Sequence, residues 1–196
     1  MKMKKLLVLL MAAAFIMPTF QSCKKGENDP FISLKTRKAR LCQTWKLTSA
    51  TGTSTSGSSM STYTFNGTTW TTIQSGQSYS FQLTWTLTFD KAGTYTETIT
   101  AIGSGNSLYT ETNKGNWWFG AKNKNAEYKN KETVVMQETS STNSNGNAIQ
   151  YSGVDCPLYL KILDKLSSKE MVTIEDGSTT STSINNSTGI YTWEKQ

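Results

Sequence analysis

The chain predicts an all-β domain whose strands run antiparallel in a meander, closed as a barrel or stacked as a sandwich, with a short helix in front. Three observations carry this. Within residues 79–89, Phe81, Leu83, Trp85, Leu87 and Phe89 alternate with Gln82, Thr84, Thr86 and Thr88. That period of two gives one apolar and one polar, mostly hydroxylated face. Asp90-Lys91-Ala92-Gly93 then forms a turn, and residues 94–102 return with Tyr95, Ile99 and Ala101 on one face, so the two segments read as a hairpin. Finally, Thr-rich strand candidates recur at near-regular spacing with no helical period between them.

The helix comes first. Asp29-Pro30 reads as a helix start, with Asp as cap and Pro at the first helical position. Phe31, Leu34, Lys38 and Leu41 share one face, which gives a short amphipathic helix over residues 32–41. Strands follow at 44–50, 60–65, 70–74, 117–120, 133–138, 159–163, 171–175 and 190–194, besides the hairpin. Segments 51–59, 103–107, 140–147 and 177–187 are rich in Ser, Gly, Asn or Thr and read as connecting loops. Residues 164–171 read as a tight turn or a single helical turn.

The N-terminus carries a different signal. Lys2, Lys4 and Lys5 precede an apolar run over residues 6–17. That run is too short for a bilayer span, which needs roughly 20 residues, and has the layout of an export signal. It ends in Phe20-Gln21-Ser22-Cys23, which resembles the lipobox of bacterial lipoproteins. The resemblance implies cleavage before Cys23 and acylation of Cys23, with palmitate a representative chain. Residues 1–22 are then signal peptide, 23–30 a lipidated tether, and 31–196 the β domain. The expected address is the bacterial cell envelope, anchored by lipid in the outer membrane, on its periplasmic or surface face.

Charge is unevenly spread. The formal net charge is +6, yet beyond Arg40 there are 11 Lys and no Arg against 12 Asp and Glu. The positive charge belongs to the signal, the tether and the helix, a basic segment that either lies against anionic head groups or is a solvated linker. The near-neutral domain lacks the basic face that nucleic-acid binding needs.

There is no His, which removes the commonest general base and zinc ligand. No metal-ligand spacing, no cofactor loop and no nucleophile elbow is present. The chain therefore reads as non-enzymatic, with no cofactor and no metal. Glu175 and Asp176 are neighbours at a strand end and read either as a contact for a cation or as a solvated turn. Cys42 and Cys156 are a possible disulfide outside the cytoplasm.

Two groups of residues are candidate binding surfaces. The apolar face of Phe81, Leu83, Trp85, Leu87 and Phe89 either lines a cavity or fills the core, since a small barrel is just wide enough for one small ligand. Trp70, Trp117, Trp118 and Phe119 are candidates for an aromatic platform for a sugar or other flat ligand. Trp117 and Trp118 are adjacent and point to opposite faces of a strand.

Several segments together resemble lipocalin-like lipoproteins of the Bacteroidetes. They are residues 29–41 followed by Trp45 and Leu47; the stretch around Asp90-Lys91-Ala92-Gly93; Gly115-Asn116-Trp117-Trp118-Phe119; Leu166-Ser167-Ser168-Lys169-Glu170-Met171; and the terminal Tyr191-Thr192-Trp193-Glu194-Lys195. The resemblance implies an up-and-down barrel of about eight strands behind a short helix, with Trp45 at its closed end. Where lipocalins usually carry Gly-x-Trp, this chain has Gln43-Thr44-Trp45, which implies a different turn into the first strand. The function it implies is carriage of a small apolar or amphiphilic ligand. The other reading is a packed barrel that presents loops such as residues 140–147, or an exposed Trp, to a protein or glycan.

Overall fold

In a computed structural model, residues 28–30, 33, 35–121, 128, 131–177 and 185–196 are described. Cys23, the expected signal peptide and most of the expected tether lie outside them. A five-residue helix α1 (Arg37–Leu41) precedes eleven strands: β1 (Thr44–Ser56), β2 (Ser59–Phe65), β3 (Thr69–Gln74), β4 (Gln77–Phe89), β5 (Thr94–Ile102), β6 (Leu108–Phe119), β7 (Glu132–Asn143), β8 (Ala148–Gln150), β9 (Leu158–Leu166), β10 (Glu170–Glu175) and β11 (Asn185–Lys195). All pairings are antiparallel. Ten strands close into a barrel through β1–β11 and β6–β7, and β8 adds a short extra strand on β7.

The strand number corrects the expectation of about eight, and its origin is local. β1 pairs directly with β4 only over Thr44–Lys46. A bulge at Thr48 follows, β1 turns away from β4, and the β2–β3 hairpin fills the gap from Ala50 onward. A bulge supplies this kind of local bend. The hairpin turn is held by Asn66, whose Oδ1 accepts from the backbone N–H of Thr68 and Thr69 at 3.2 and 2.9 Å.

Several segments expected to be loops are strands. β1 runs on to Ser56 and β7 to Asn143. No apolar alternation announces them, because their inward positions toward the far end of the barrel are small or polar: Gly52, Ser54 and Ser56 on β1, Ser141 and Asn143 on β7. β9 likewise continues to Leu166. The expected turn over 164–171 shrinks to Ser167–Lys169, where Ser167 Oγ accepts from the N–H of Lys169 and Glu170.

The helix is also shorter than expected. Thr36 caps it, its Oγ1 accepting from Ala39 N–H at 3.1 Å. Asp29 is not the cap. It is buried, 6 % exposed, and its carboxylate accepts from Leu166 N–H at 2.9 Å and pairs with both Arg37 and Arg40. A charged side chain so deeply buried needs such partners. Arg37 also pairs with Glu132 of β7 at 2.7 Å.

Around this end the barrel is filled. Leu41, Trp45, Leu47, Leu87, Leu166 and Trp193 are fully buried, with Phe89, Trp117, Val134, Met136, Leu163 and Met171 among them. Trp45 donates its Nε1–H to the Leu41 carbonyl at 2.9 Å, fixing the indole under α1. Cys42 sits at this end and Cys156 precedes β9 at the other, a nine-residue strand away. That is roughly 25–30 Å at strand rise, against the ~6 Å a disulfide needs. Both are free thiols, so the possible pair is not formed.

Candidate functional site

The far half of the barrel is built differently. Its inward side chains are aromatic rings and carboxylates, and many stay partly exposed. Trp85 on β4, Glu97 and Ile99 on β5, Glu111 on β6 and Trp70 on β3 are half-buried although they face the interior. The half-exposure means water reaches an aromatic and acidic chamber whose opposite end is packed.

Its floor is Lys161 on β9, 5 % exposed. The ammonium lies 5.7–5.8 Å from the ring centroids of Trp85, Tyr191 and Trp193, within cation–π range, and 2.8 Å from Glu175 Oε1. Burial works against the Lys161 charge, but Glu175 and more distantly Glu97 outweigh it and raise its pKa above the ordinary Lys value. Burial likewise opposes the Glu175 charge. Lys161, with hydrogen bonds from Tyr191 and Ser187, outweighs it and holds the carboxyl below its usual range. Glu175 is therefore the partner of a buried ammonium and not the solvated turn residue its sequence position implies.

One wall is aromatic. The Tyr63 and Trp70 rings stack at 4.9 Å, Trp70 leans toward Trp85 at 6.5 Å, and Tyr63 Oη meets Tyr191 Oη at 2.7 Å. Glycine makes this possible. Gly52 and Gly189 face each other across β1 and β11, and a Cβ on either would collide with the Tyr63 phenol. The ring covers both glycines and so packs against a strand surface without side chains.

The opposite wall is acidic. Glu97 Oε1 accepts from Trp85 Nε1–H at 3.0 Å. Asn113 Nδ2 donates to Glu97 at 3.4 Å and to Glu111 at 3.1 Å. Tyr109 donates to Glu111 at 2.9 Å, and Tyr159 to Glu138 at 3.1 Å. Glu138 is 3 % exposed. Burial pushes its carboxyl above the ordinary value; the Tyr159 hydrogen bond opposes this, and Glu97 and Glu111 reinforce it.

A raised folded-state pKa has a definite linkage sign. The Glu138 contribution to stability is complete below the unfolded carboxyl pKa, about 4.3, and is lost as pH rises through the higher folded value. Glu138→Gln, which still accepts from Tyr159, is expected to be more stable than the parent at pH 8 and equal to it near pH 4. Urea midpoints at the two pH values check this. A variant less stable than the parent at pH 8 would contradict the burial argument.

The residues singled out from sequence separate into three groups. Leu87, Phe89 and Trp117 belong to the packed end, and Leu83 is 7 % exposed. Phe81 and Trp85 are half-buried, with Trp85 forming part of the chamber. The aromatic platform does not assemble: Trp117 packs edge-on against Phe89 and Phe119, Trp70 joins the Tyr63 wall, and Trp118 points outward, 43 % exposed. Glu97, Glu111, Asn113, Glu138 and Lys161 were missed as a group. Glu97 had a visible signal, since it shares the period-two face of Tyr95, Ile99 and Ala101.

A second feature lies outside the barrel wall. A hollow of about 480 Å³ is lined by Tyr128, Lys131, Asp164, Ile174, Thr188, Gly189 and Ile190.

The fold and site together define a closed antiparallel β-barrel, packed at one end and holding a water-accessible aromatic and acidic chamber at the other. Neither a family model, nor a curated protein, nor a solved structure matches the chain.

Proposed function

We propose that this is a lipid-anchored barrel of the bacterial envelope, attached through Cys23, that binds a small amphiphilic molecule in its chamber without chemical turnover. One observation carries the binding reading: Trp70, Trp85, Ile99, Glu97 and Glu111 face the interior yet stay partly exposed, above a floor that is packed. Ligand sites combine apolar walls with a few placed polar groups in this way. The lipobox-like Phe20-Gln21-Ser22-Cys23 and the resemblance to lipocalin-like lipoproteins support the anchor and the carrier role.

Native mass spectrometry of the detergent-extracted full chain tests both parts. Expected are a mass consistent with an acylated N-terminal cysteine and a co-purifying small molecule that is lost in Trp85→Ala. A chain that retains residues 1–22 without acyl groups would refute the anchor. A chamber that neither retains nor accepts any amphiphile would refute carriage.

A second reading has its own observation. Trp118, Val135 and Leu160 stand in cross-strand register over β6, β7 and β9. Trp118 is 43 % and neighbouring Leu158 is 37 % exposed. An outward apolar row of this kind suits contact with a protein or glycan. Loss of partner capture in Trp118→Ser with the chamber intact would favour it.

A further inference from the structure

The chamber holds an unbalanced set of charges. Among the described residues, Glu97, Glu111, Glu138 and Glu175 face the interior with Lys161 as the sole cation, and Lys161 is committed to Glu175. No described ammonium or guanidinium pairs with Glu97, Glu111 or Glu138. Their partners are neutral: the Trp85 indole, the Asn113 amide and the hydroxyls of Tyr109 and Tyr159.

Two buried polar groups in the same place lack partners, and this is independent of the charge count. Tyr95 is 3 % exposed, and its hydroxyl makes no hydrogen bond among the described residues. It lies within the fields of Glu97, Glu138 and Tyr159, which with burial raise its pKa. Its position is fixed by Gly115 directly across β6, where a Cβ would strike the ring. Asn113 is 7 % exposed; its amide nitrogen bridges Glu97 and Glu111, while its Oδ1 is buried without a donor. A buried acceptor left without a donor carries an uncompensated desolvation cost. A ligand bringing several N–H donors and a positive charge would remove that cost.

We propose that the chamber is specific for an organic cation: a molecule with an ammonium-type head and a flat or apolar body. This rests on the carrier reading above and names its ligand class. The head is received by Glu97, Glu111, Asn113 Oδ1 and Tyr95 Oη. The body lies along Trp85 and Trp70. A metal ion is a poorer match, because among the described residues no three carboxylates or thiols converge on a common point. A polyatomic head with spread donors reaches groups held apart by the Asn113 bridge.

The test uses three probes with one ring system: 2-naphthylmethylamine, cationic at neutral pH; 2-naphthylmethanol; and 2-naphthoate. Each is titrated into the full chain while the Trp85 indole and Asn113 amide signals are followed by NMR. The amine is expected to bind at least about tenfold more tightly than the alcohol, with both signals shifting, and the naphthoate more weakly than either. Glu97→Gln and Glu111→Gln keep the side-chain shape. Together they are expected to reduce amine affinity about tenfold and bring it close to that of the alcohol. If the alcohol or naphthoate binds as well as the amine, the cation inference is overturned and chamber binding stands. If none of the three moves the chamber signals, both fall. Saturable shifts of the same signals by micromolar calcium chloride would replace the organic cation with a metal and also overturn it.

Discussion

Glu175→Ala is expected to destabilise the barrel by about 3–5 kcal/mol, the range found when one partner of a buried ion pair is removed. The cost comes from Lys161. Its side chain is 6 % exposed, and the only carboxylate in contact with its ammonium among the described residues is Glu175 at 2.8 Å. The rings of Trp85, Tyr191 and Trp193 at 5.7–5.8 Å attract the cation but do not replace a carboxylate. The double variant Glu175→Ala/Lys161→Met is expected to regain most of the loss. A thioether is favourable against aromatic rings, and apolar replacement of a buried pair is often neutral or better. Urea denaturation of the single and double variants measures both. Equal destabilisation of the two would show that the defect is a packing void and not an orphaned charge.

The pair also sets a pH window. Glu175 has a lowered folded-state pKa, so its stabilisation is present above the ordinary carboxyl value and lost as pH falls through the lower folded one. Lys161 has a raised folded-state pKa, so its stabilisation is present below the ordinary Lys value and lost as pH rises through the higher folded one. The gap between parent and Glu175→Ala is therefore widest from about pH 5 to about pH 10 and narrows toward either extreme.

The two halves of the barrel were not equally legible. The strand at 79–89, its turn and the return at 94–102 could be read because apolar residues alternate with Thr, and the structure places β4 and β5 there. The polar extensions of β1 and β7 could not be read in this way. Their inward positions at the chamber end carry Gly, Ser or Asn, so the alternation that marks a strand is missing. Asp29 misled for a related reason: Asp before Pro is a good local helix start, but a long-range pairing with Arg37, Arg40 and Leu166 takes it. The Lys161–Glu175 pair and the Glu97–Asn113–Glu111 bridge join residues on different strands. Local pattern can place each on an inward face but cannot bring them together; strand register does that.

Asp29→Ala is the second large effect, expected at about 3–5 kcal/mol and concentrated at the closed end. The substitution removes the carboxylate shared by Arg37 and Arg40, which are 9 % and 1 % exposed, together with the acceptor for Leu166 N–H. Arg37 keeps Glu132 at 2.7 Å, while Leu166 N–H at the β9 end loses its acceptor. Asp29→Asn retains an acceptor for Leu166 N–H and is expected to cost less. Amide exchange across residues 36–42 should accelerate in Asp29→Ala while the β4–β5 hairpin stays protected; unchanged exchange there would show that α1 is held by Trp45 and Leu41 alone. The consequence reaches the proposed anchor. Asp29 is six residues beyond Cys23, so while it is docked the barrel base stays within about 20 Å of Cys23. With Asp29 released, the next fixed point is Arg37, held by Glu132, and the reach grows to about 50 Å. If Cys23 is lipidated as proposed, Asp29 sets how far the closed end of the barrel can move from the membrane. Crosslinking from Cys23-proximal lysines to residues of the barrel base, counted in the parent and in Asp29→Ala, reads that distance directly.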